Sequence, residues 1–320
     1  MSSIKNKFSL PATRDKRVRT GISSNDFLQP FMQEVIRRMY ELGKVRTGET
    51  YTSTLNSFMR FRQGKDVLWK EFDADLLVSY EAYLKETGVS MNTISFYNRI
   101  LRAVYNRAVE KGLTAQNHPF KSVYTGIGKT ARRGLSLKEI RSIRQMDLSS
   151  APLLDYARDM FLFSFYTRGM SFIDMAYLKK DDLKNGMITY RRKKTGQLLW
   201  VKWEKCMQDI LDKYPVMPCS PYLLPIIREK GTKERKQYIN ALHLINRKLK
   251  FIREMSRTSI PLSMYVARHS WASIAKSKNI PLSVISEGMG HDSENTTLIY
   301  LTSLDTSIID EANRLILNSI

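Results

Sequence analysis

Cysteine is almost missing from this chain: Cys206 and Cys219 are the only two in 320 residues, and they form no C-x-x-C pair. A disulfide framework and a cysteine-rich zinc site are thereby excluded, and a reducing compartment, the cytoplasm, is the expected location. Long apolar runs are also lacking. The richest, Met160 to Tyr166, falls well short of the ~18 residues that mark a membrane span, and reads as core. The N-terminus carries charge with no hydrophobic stretch behind it, so no secretory signal is read there. Acidic residues are scarce relative to basic ones, and there are only four histidines.

What is present in excess is positive charge. Lys and Arg total 52 against 31 Asp and Glu, for a formal net charge of +21. The surplus is distributed in clusters at Lys5–Arg19, Lys129–Arg144, Arg191–Lys194 and Arg228–Lys236. Basic charge spread over a folded chain implies a polyanion held by several surfaces, which points to nucleic acid. Hydrophobic residues make up 42% of the chain, enough for real cores, and the length implies two domains.

The pattern along the chain predicts a mainly α protein with a small antiparallel β-sheet. Residues 1–24 read as a basic arm broken by Pro11. Residues 25–111 carry four helical periodicities, the first with Phe27, Phe31, Val35 and Met39, and the fourth opening at Ser90 as a cap. Pro119, Gly126 and Gly128 make 112–134 the expected linker. There GIGKT is no phosphate loop, because the required first glycine falls at Val123. The second domain, 135–305, opens on Ser136-Leu137-Lys138-Glu139, a capping-box signature. Met187, Thr189 and Arg191 alternate before a turn at Thr195–Gly196, and Leu199, Val201 and Trp203 alternate after it. Residues 306–320 form an amphipathic helical pattern.

One stretch concentrates chemistry. Arg268 and His269 occur in YVARHSWASIA, His291 in GMGHD, and Tyr300 in NTTLIYL. Arginine forks the non-bridging oxygens of a phosphate, histidine donates to them as charge builds, and tyrosine supplies a nucleophile. His118 and His243 have no companions and read as structural. Asp181 and Asp182 read as a turn rather than metal ligands, there being no third ligand at suitable spacing.

The whole arrangement resembles the tyrosine recombinase (phage integrase) family, in which an R-H pair, a G-H about two dozen residues on, and a tyrosine nine further follow one another. Arg268-His269, Gly290-His291 and Tyr300 reproduce both gaps. The resemblance implies a helical, SAM-like core-binding domain at 25–111 and a catalytic domain at 135–305. It also implies cutting and rejoining of DNA through a 3′-phosphotyrosine, with no metal and no other cofactor. Tyr300 would be the nucleophile, with Arg268 and His291 on the phosphate. Lys194, in the Lys194-Thr195-Gly196 turn, would protonate the leaving 5′ oxygen, with Lys193 and Arg192 as competitors. Two positions depart from the family pattern. Ser171 stands where a first arginine is usual, leaving Arg168 as the favoured substitute and Arg192 as the rival. Tyr265 stands at a usual histidine position. Arg192, Lys193, Lys129, Arg132 and Arg133 are the expected DNA contacts. The implied partners are a double-stranded recombination site, a homotetramer in which 306–320 packs on a neighbouring protomer, and accessory DNA-bending proteins. An invertase or mobile-element recombinase of a bacterium is the expected role. The competing readings are a type IB topoisomerase-like enzyme and a DNA-binding regulator without catalysis.

Overall fold

The structure, a computed structural model, describes residues 26–128, 134–216, 218–231, 233–291, 293–294, 297–298, 314 and 316–317. The arm at 1–24, Lys129, Arg132, Arg133 and Tyr300 lie outside the described residues, as does 306–320 apart from Arg314, Ile316 and Leu317. The chain divides into two compact units, Met1–Lys129 and Thr130–Ile320. No described helix is long and apolar enough to cross a membrane.

Helices α1 (Leu28–Glu41), α2 (Val45–Phe61), α3 (Ala74–Glu86) and α4 (Met91–Glu110) build the first unit. Each helical periodicity in the sequence forms one of them, and the Ser90 hydroxyl caps α4 by accepting from the Thr93 N–H. The buried stripe of α1 is Leu28, Phe31, Met32, Ile36 and Met39, whereas Phe27 precedes the helix and Val35 is half-buried. Steps of four residues advance the stripe by about 40° beyond a full turn each time, so an i, i+4 series drifts off the core face and steps of one and three must correct it. The core is aromatic: Phe31 meets Trp69 edge-on at 5.4 Å, and Phe58 meets Tyr80 at 5.1 Å. The Tyr80 hydroxyl, too deep for water, donates to Ser57 Oγ at 2.8 Å.

Residues 112–128 correct the expected linker. Phe120 and Val123 are buried in the first unit's core. The Glu81 carboxylate accepts the Tyr124 N–H at 2.7 Å, and the Asn98 amide donates to the Tyr124 carbonyl at 3.1 Å. Asn92 accepts the Gly128 N–H at 2.8 Å. Main-chain groups of an irregular segment laid on helices need partners, and side chains of α3 and α4 supply them. Glycine and proline signal the absence of regular structure, not the absence of packing.

The second unit contains α5 (Leu137–Gln145), α6 (Pro152–Tyr166), α7 (Phe172–Tyr177), β1 (Leu183–Lys184), β2 (Met187–Arg191), β3 (Leu198–Lys202), α8 (Lys205–Lys213), α9 (Glu234–Ser256), α10 (Met264–Ser277) and α11 (Leu282–Met289). Helix α6 is central and packs against α8, α9 and α10. It buries Ala157, Met160, Phe161, Leu162 and Phe163, as its nearly continuous apolar sequence requires. The sheet is antiparallel in the order β1-β2-β3, one short strand more than the hairpin read from the sequence. Ile188 pairs with Val201 and Tyr190 with Leu199, and these four face the core. Met187, Thr189 and Arg191 therefore form the outer face of β2. Arg158 lies buried between Asp155 and Asp159, which also bind Lys213.

The capping box at Ser136 is present, and Glu139 extends it across the unit by accepting the N–H and hydroxyl of Ser259, each at 2.8 Å. Partial burial alone would raise the pKa of Glu139; hydrogen bonds from Ser259 and Ser136 outweigh it and pull the pKa down to about 2. In the unfolded chain such a carboxyl titrates near ~4.3. The stabilisation is therefore complete above that value and lost as pH falls from there toward about 2. Glu139→Gln is expected to lower the melting temperature at neutral pH and to flatten the loss of stability on acidification. Thermal melts of both proteins across this pH window check it.

Candidate active site

Arg268 lies on the inner face of α10 and is 3% exposed. Its guanidinium ties three segments together. Nη1 donates to the Gly169 carbonyl at 2.8 Å, in the turn between α6 and α7. Nη2 donates to the Met289 carbonyl at 2.6 Å, at the end of α11, and lies 2.9 Å from His291 Nε2. Arginine carries donors only, so Nε2 is the acceptor of this pair. The proton of His291 is then on Nδ1, which donates to Thr297 Oγ1 at 2.7 Å. Burial, then the positive charges of Arg268, Arg192 and Lys194, lower the pKa of His291 to about 3.

The approach of these segments depends on two glycines. Gly169 has φ +75°, and a Cβ there would lie 2.7 Å from Arg268 Cα. Gly290 has φ +65° and ends α11, with its N–H on the Glu287 carbonyl and the His291 N–H on the Ser286 carbonyl. This is a Schellman motif, and it turns His291 back toward Arg268. Gly288 lies inside α11, and Gly290 supplies the left-handed residue that ends it. A Cβ on Gly290 would sit 2.8 Å from Leu199 Cδ1, so the hairpin is pressed against this turn.

The hairpin brings further cations. The Arg192 N–H and carbonyl close the turn through Gln197 and Gly196, each at 2.8 Å. Arg192, expected among the outward DNA contacts, is 6% exposed and donates through Nη1 to the Gly290 carbonyl. Lys194 is exposed at the tip of the turn. Lys193 is also exposed, with its ammonium 4.0 Å from the centre of the Tyr177 ring. Asp174 fixes the base of the turn: its Oδ1 accepts the Lys193 N–H at 2.8 Å and its Oδ2 accepts the Ser171 hydroxyl at 2.6 Å.

Arg168 does not share a helical face with Ser171. Ser171 is the N-cap of α7, and Arg168 lies before it in a left-handed turn, φ 59°, because the chain must leave α6 sharply there. The carboxylates of Asp155 and Asp174 bind Arg158, Lys213, Ser171 and Lys193 instead. Tyr265, one turn before Arg268, is 48% exposed, and its ring meets that of His269 edge-on at 4.7 Å. With Arg268 and Ser171 it lines a cavity of about 270 Å³. His118 and His243 are exposed. Among the described residues no group of His, Cys, Asp and Glu is placed to hold a metal ion.

Residues 27–123 match the family model of the phage integrase SAM-like domain. A lambda integrase dimer bound to a COC' core site is 17% identical, with a TM-score of 0.66 over 88% of this chain and 81% of that one. The chain has the tyrosine recombinase fold. XerH site-specific recombinase bound to palindromic difH substrate, in a post-cleavage complex, is 19% identical, with a TM-score of 0.65 over 88% of this chain and 83% of that one. Tn1549 transposon integrase in complex with transposon right end DNA is 15% identical, with a TM-score of 0.64 over 89% of this chain and 99% of that one. No curated protein sequence matches the chain.

Within the tyrosine recombinase fold, Arg268, His291 and Arg192 come together at the Met289–His291 turn, and the charge of Lys194 acts on His291. Thr297, which sets the His291 tautomer, was not singled out from the sequence; its only signal is a hydroxyl six residues beyond the histidine. The Ser171–Asp174–Lys193 contacts were also missed, since they join residues about twenty apart.

Two outcomes are expected. In the DNA-free protein, nitrogen-detected NMR finds His291 as the neutral Nδ1–H tautomer, with no titration near the ordinary ~6.5; an imidazolium appearing there contradicts the assignment. Gly169→Ala strains a left-handed position against the Arg268 backbone and costs about 2 kcal/mol or more in urea unfolding. A loss under about 0.5 kcal/mol shows that α10 yields.

Proposed function

We propose that this chain is a site-specific DNA recombinase that cuts and rejoins duplex DNA through a covalent 3′-phosphotyrosine. The observation that carries the reading is the buried Arg268–His291 hydrogen bond, held in a fold shared with recombinases solved on DNA. The second unit then provides the chemistry, and the SAM-like first unit contributes to holding the site.

In this reading the Tyr300 oxygen bonds to the scissile phosphorus and gives up its proton to water, and the bond from phosphorus to the 5′ oxygen breaks. The leaving oxygen takes a proton from Lys194, on the exposed turn. Arg268 neutralises non-bridging oxygens, and His291, neutral and fixed by Thr297, is a hydrogen-bonding partner of that guanidinium rather than a second cation. A 5′ hydroxyl of a partner strand reverses the step and regenerates the phenol. Bond energy is kept in the phosphotyrosine, so no nucleotide is consumed. Tyr300 enters through its spacing from His291. Exchange between two sites needs several protomers at once, and a lambda integrase tetramer has been solved on a Holliday junction. A homotetramer with 306–320 packed on a neighbour is the corresponding assembly here.

The test uses nicked suicide duplexes drawn from a randomised library, with detergent-resistant protein–DNA adducts isolated and sequenced. Wild-type protein is expected to give an adduct on a recurring sequence, and Tyr300→Phe none. Arg268→Ala is expected to slow adduct formation by about 10²–10³-fold. An adduct that survives Tyr300→Phe, or none on DNA that the protein binds, sinks the reading.

A further inference from the structure

Two buried arginines of the second unit are solved in opposite ways. Arg158 is enclosed by the carboxylates of Asp155 and Asp159, and its charge is balanced inside the protein. Arg192 is just as buried. Its Nη1 donates to the Gly290 carbonyl, its Nε has no hydrogen-bond partner, and no carboxylate pairs with it among the described residues. A buried guanidinium without a counter-charge is costly to hold in a fold. It persists where an anion from outside completes it.

The place it faces is defined by its neighbours. Arg268 donates to the Met289 carbonyl and Arg192 to the Gly290 carbonyl. Two guanidiniums thus sit on consecutive carbonyls of the turn that leads to His291. The backbone of the hairpin cannot swing Arg192 away freely, because the Lys193 N–H is held by Asp174, which Ser171 in turn holds. Leu199 of the same hairpin closes on Gly290. Arg168, by contrast, is half-buried in a separate turn and lies beside Gly288 rather than at the Gly290 carbonyl.

We propose that Arg192 is the second phosphate-binding arginine of this site: its buried guanidinium, which no carboxylate of the described residues pairs, joins Arg268 on the non-bridging oxygens of the scissile phosphate, and the Ser171–Asp174 pair positions it through Lys193. The inference rests on the recombinase reading. It assigns to a strand-turn residue the charge that Arg168 was expected to supply. The pKa of His291 agrees, since Arg268 and Arg192 are the arginines whose charges act on it.

The experiment compares the full-length wild type, Arg192→Gln and Arg168→Ala, each under single-turnover conditions. The substrate is a suicide duplex recovered with the wild type. A second duplex is identical except for a methylphosphonate at the scissile position, which lacks one charged oxygen. Glutamine keeps a donor for the Gly290 carbonyl and removes the charge; thermal melts and DNA binding by mobility shift are measured alongside. On the phosphate duplex Arg192→Gln is expected to lose about 10²–10³-fold in cleavage rate, with binding changed much less, and Arg168→Ala to stay within a few-fold of wild type. On the methylphosphonate duplex the gap between Arg192→Gln and wild type closes to roughly tenfold or less, because the charge it would neutralise is gone. A purely structural role gives the same loss on both duplexes and overturns the assignment. So does a wild-type-like rate for Arg192→Gln on phosphate, or a loss in Arg168→Ala rescued by the methylphosphonate instead. If wild type itself makes no adduct, the recombinase reading fails first, and Arg192 loses its phosphate with it.

Discussion

The contact between Arg268 and His291 is the constraint around which the second unit is arranged. A buried guanidinium must place its donors, and here they go to the turn after α6, the end of α11 and an imidazole nitrogen. Because arginine can only donate, this one contact decides which nitrogen of His291 carries the proton and why Thr297 must sit on the other side. It also adds to what keeps the histidine neutral: burial opposes its charge first, and the positive charge of Arg268 a hydrogen bond away opposes it further. Backbone placement and tautomer follow from a single side chain.

The surrounding fold makes that contact rigid. Gly169 lets its turn approach the Arg268 backbone, and Gly290 lets the Leu199 side chain of the hairpin pack onto the end of α11. The cations that gather at the Met289–His291 turn arrive from α10 and from the β2–β3 turn, Arg192 and Arg268 being 76 residues apart in sequence. Such a site is costly to the folded protein, since like charges oppose one another until an anion arrives. The fully paired Arg158 cluster on α6, away from that turn, carries no such tension.

Much of this was legible from residue patterns. The four helices of the first unit, the capping box at Ser136, the central apolar helix and the hairpin all follow from local periodicity and local hydrogen bonding, which the chain expresses within a few residues. Arg268 and His291 were legible as a pair because each stands beside a recognisable neighbour at a recognisable gap. Three things were read differently. The stripe of α1 was placed by four-residue steps that drift around the helix, the segment after α4 was read as a linker although Glu81 and Asn98 bind its backbone, and the sheet was read as a hairpin although a short third strand, β1, joins it.

By itself the sequence determined which segments would be helical or extended, that the molecule would be strongly cationic, and which residue types could grip a phosphate. Those are properties of composition and of neighbours along the chain. Only the tertiary structure decided which cations meet. Arg192 and Arg168 look alike as letters, and their environments separate when the sheet register and the clamp at Asp174 turn one inward to the Gly290 carbonyl and leave the other in a left-handed turn. Burial and convergence are long-range quantities: a side chain's environment is set by elements packed against it, and local spacing does not contain them.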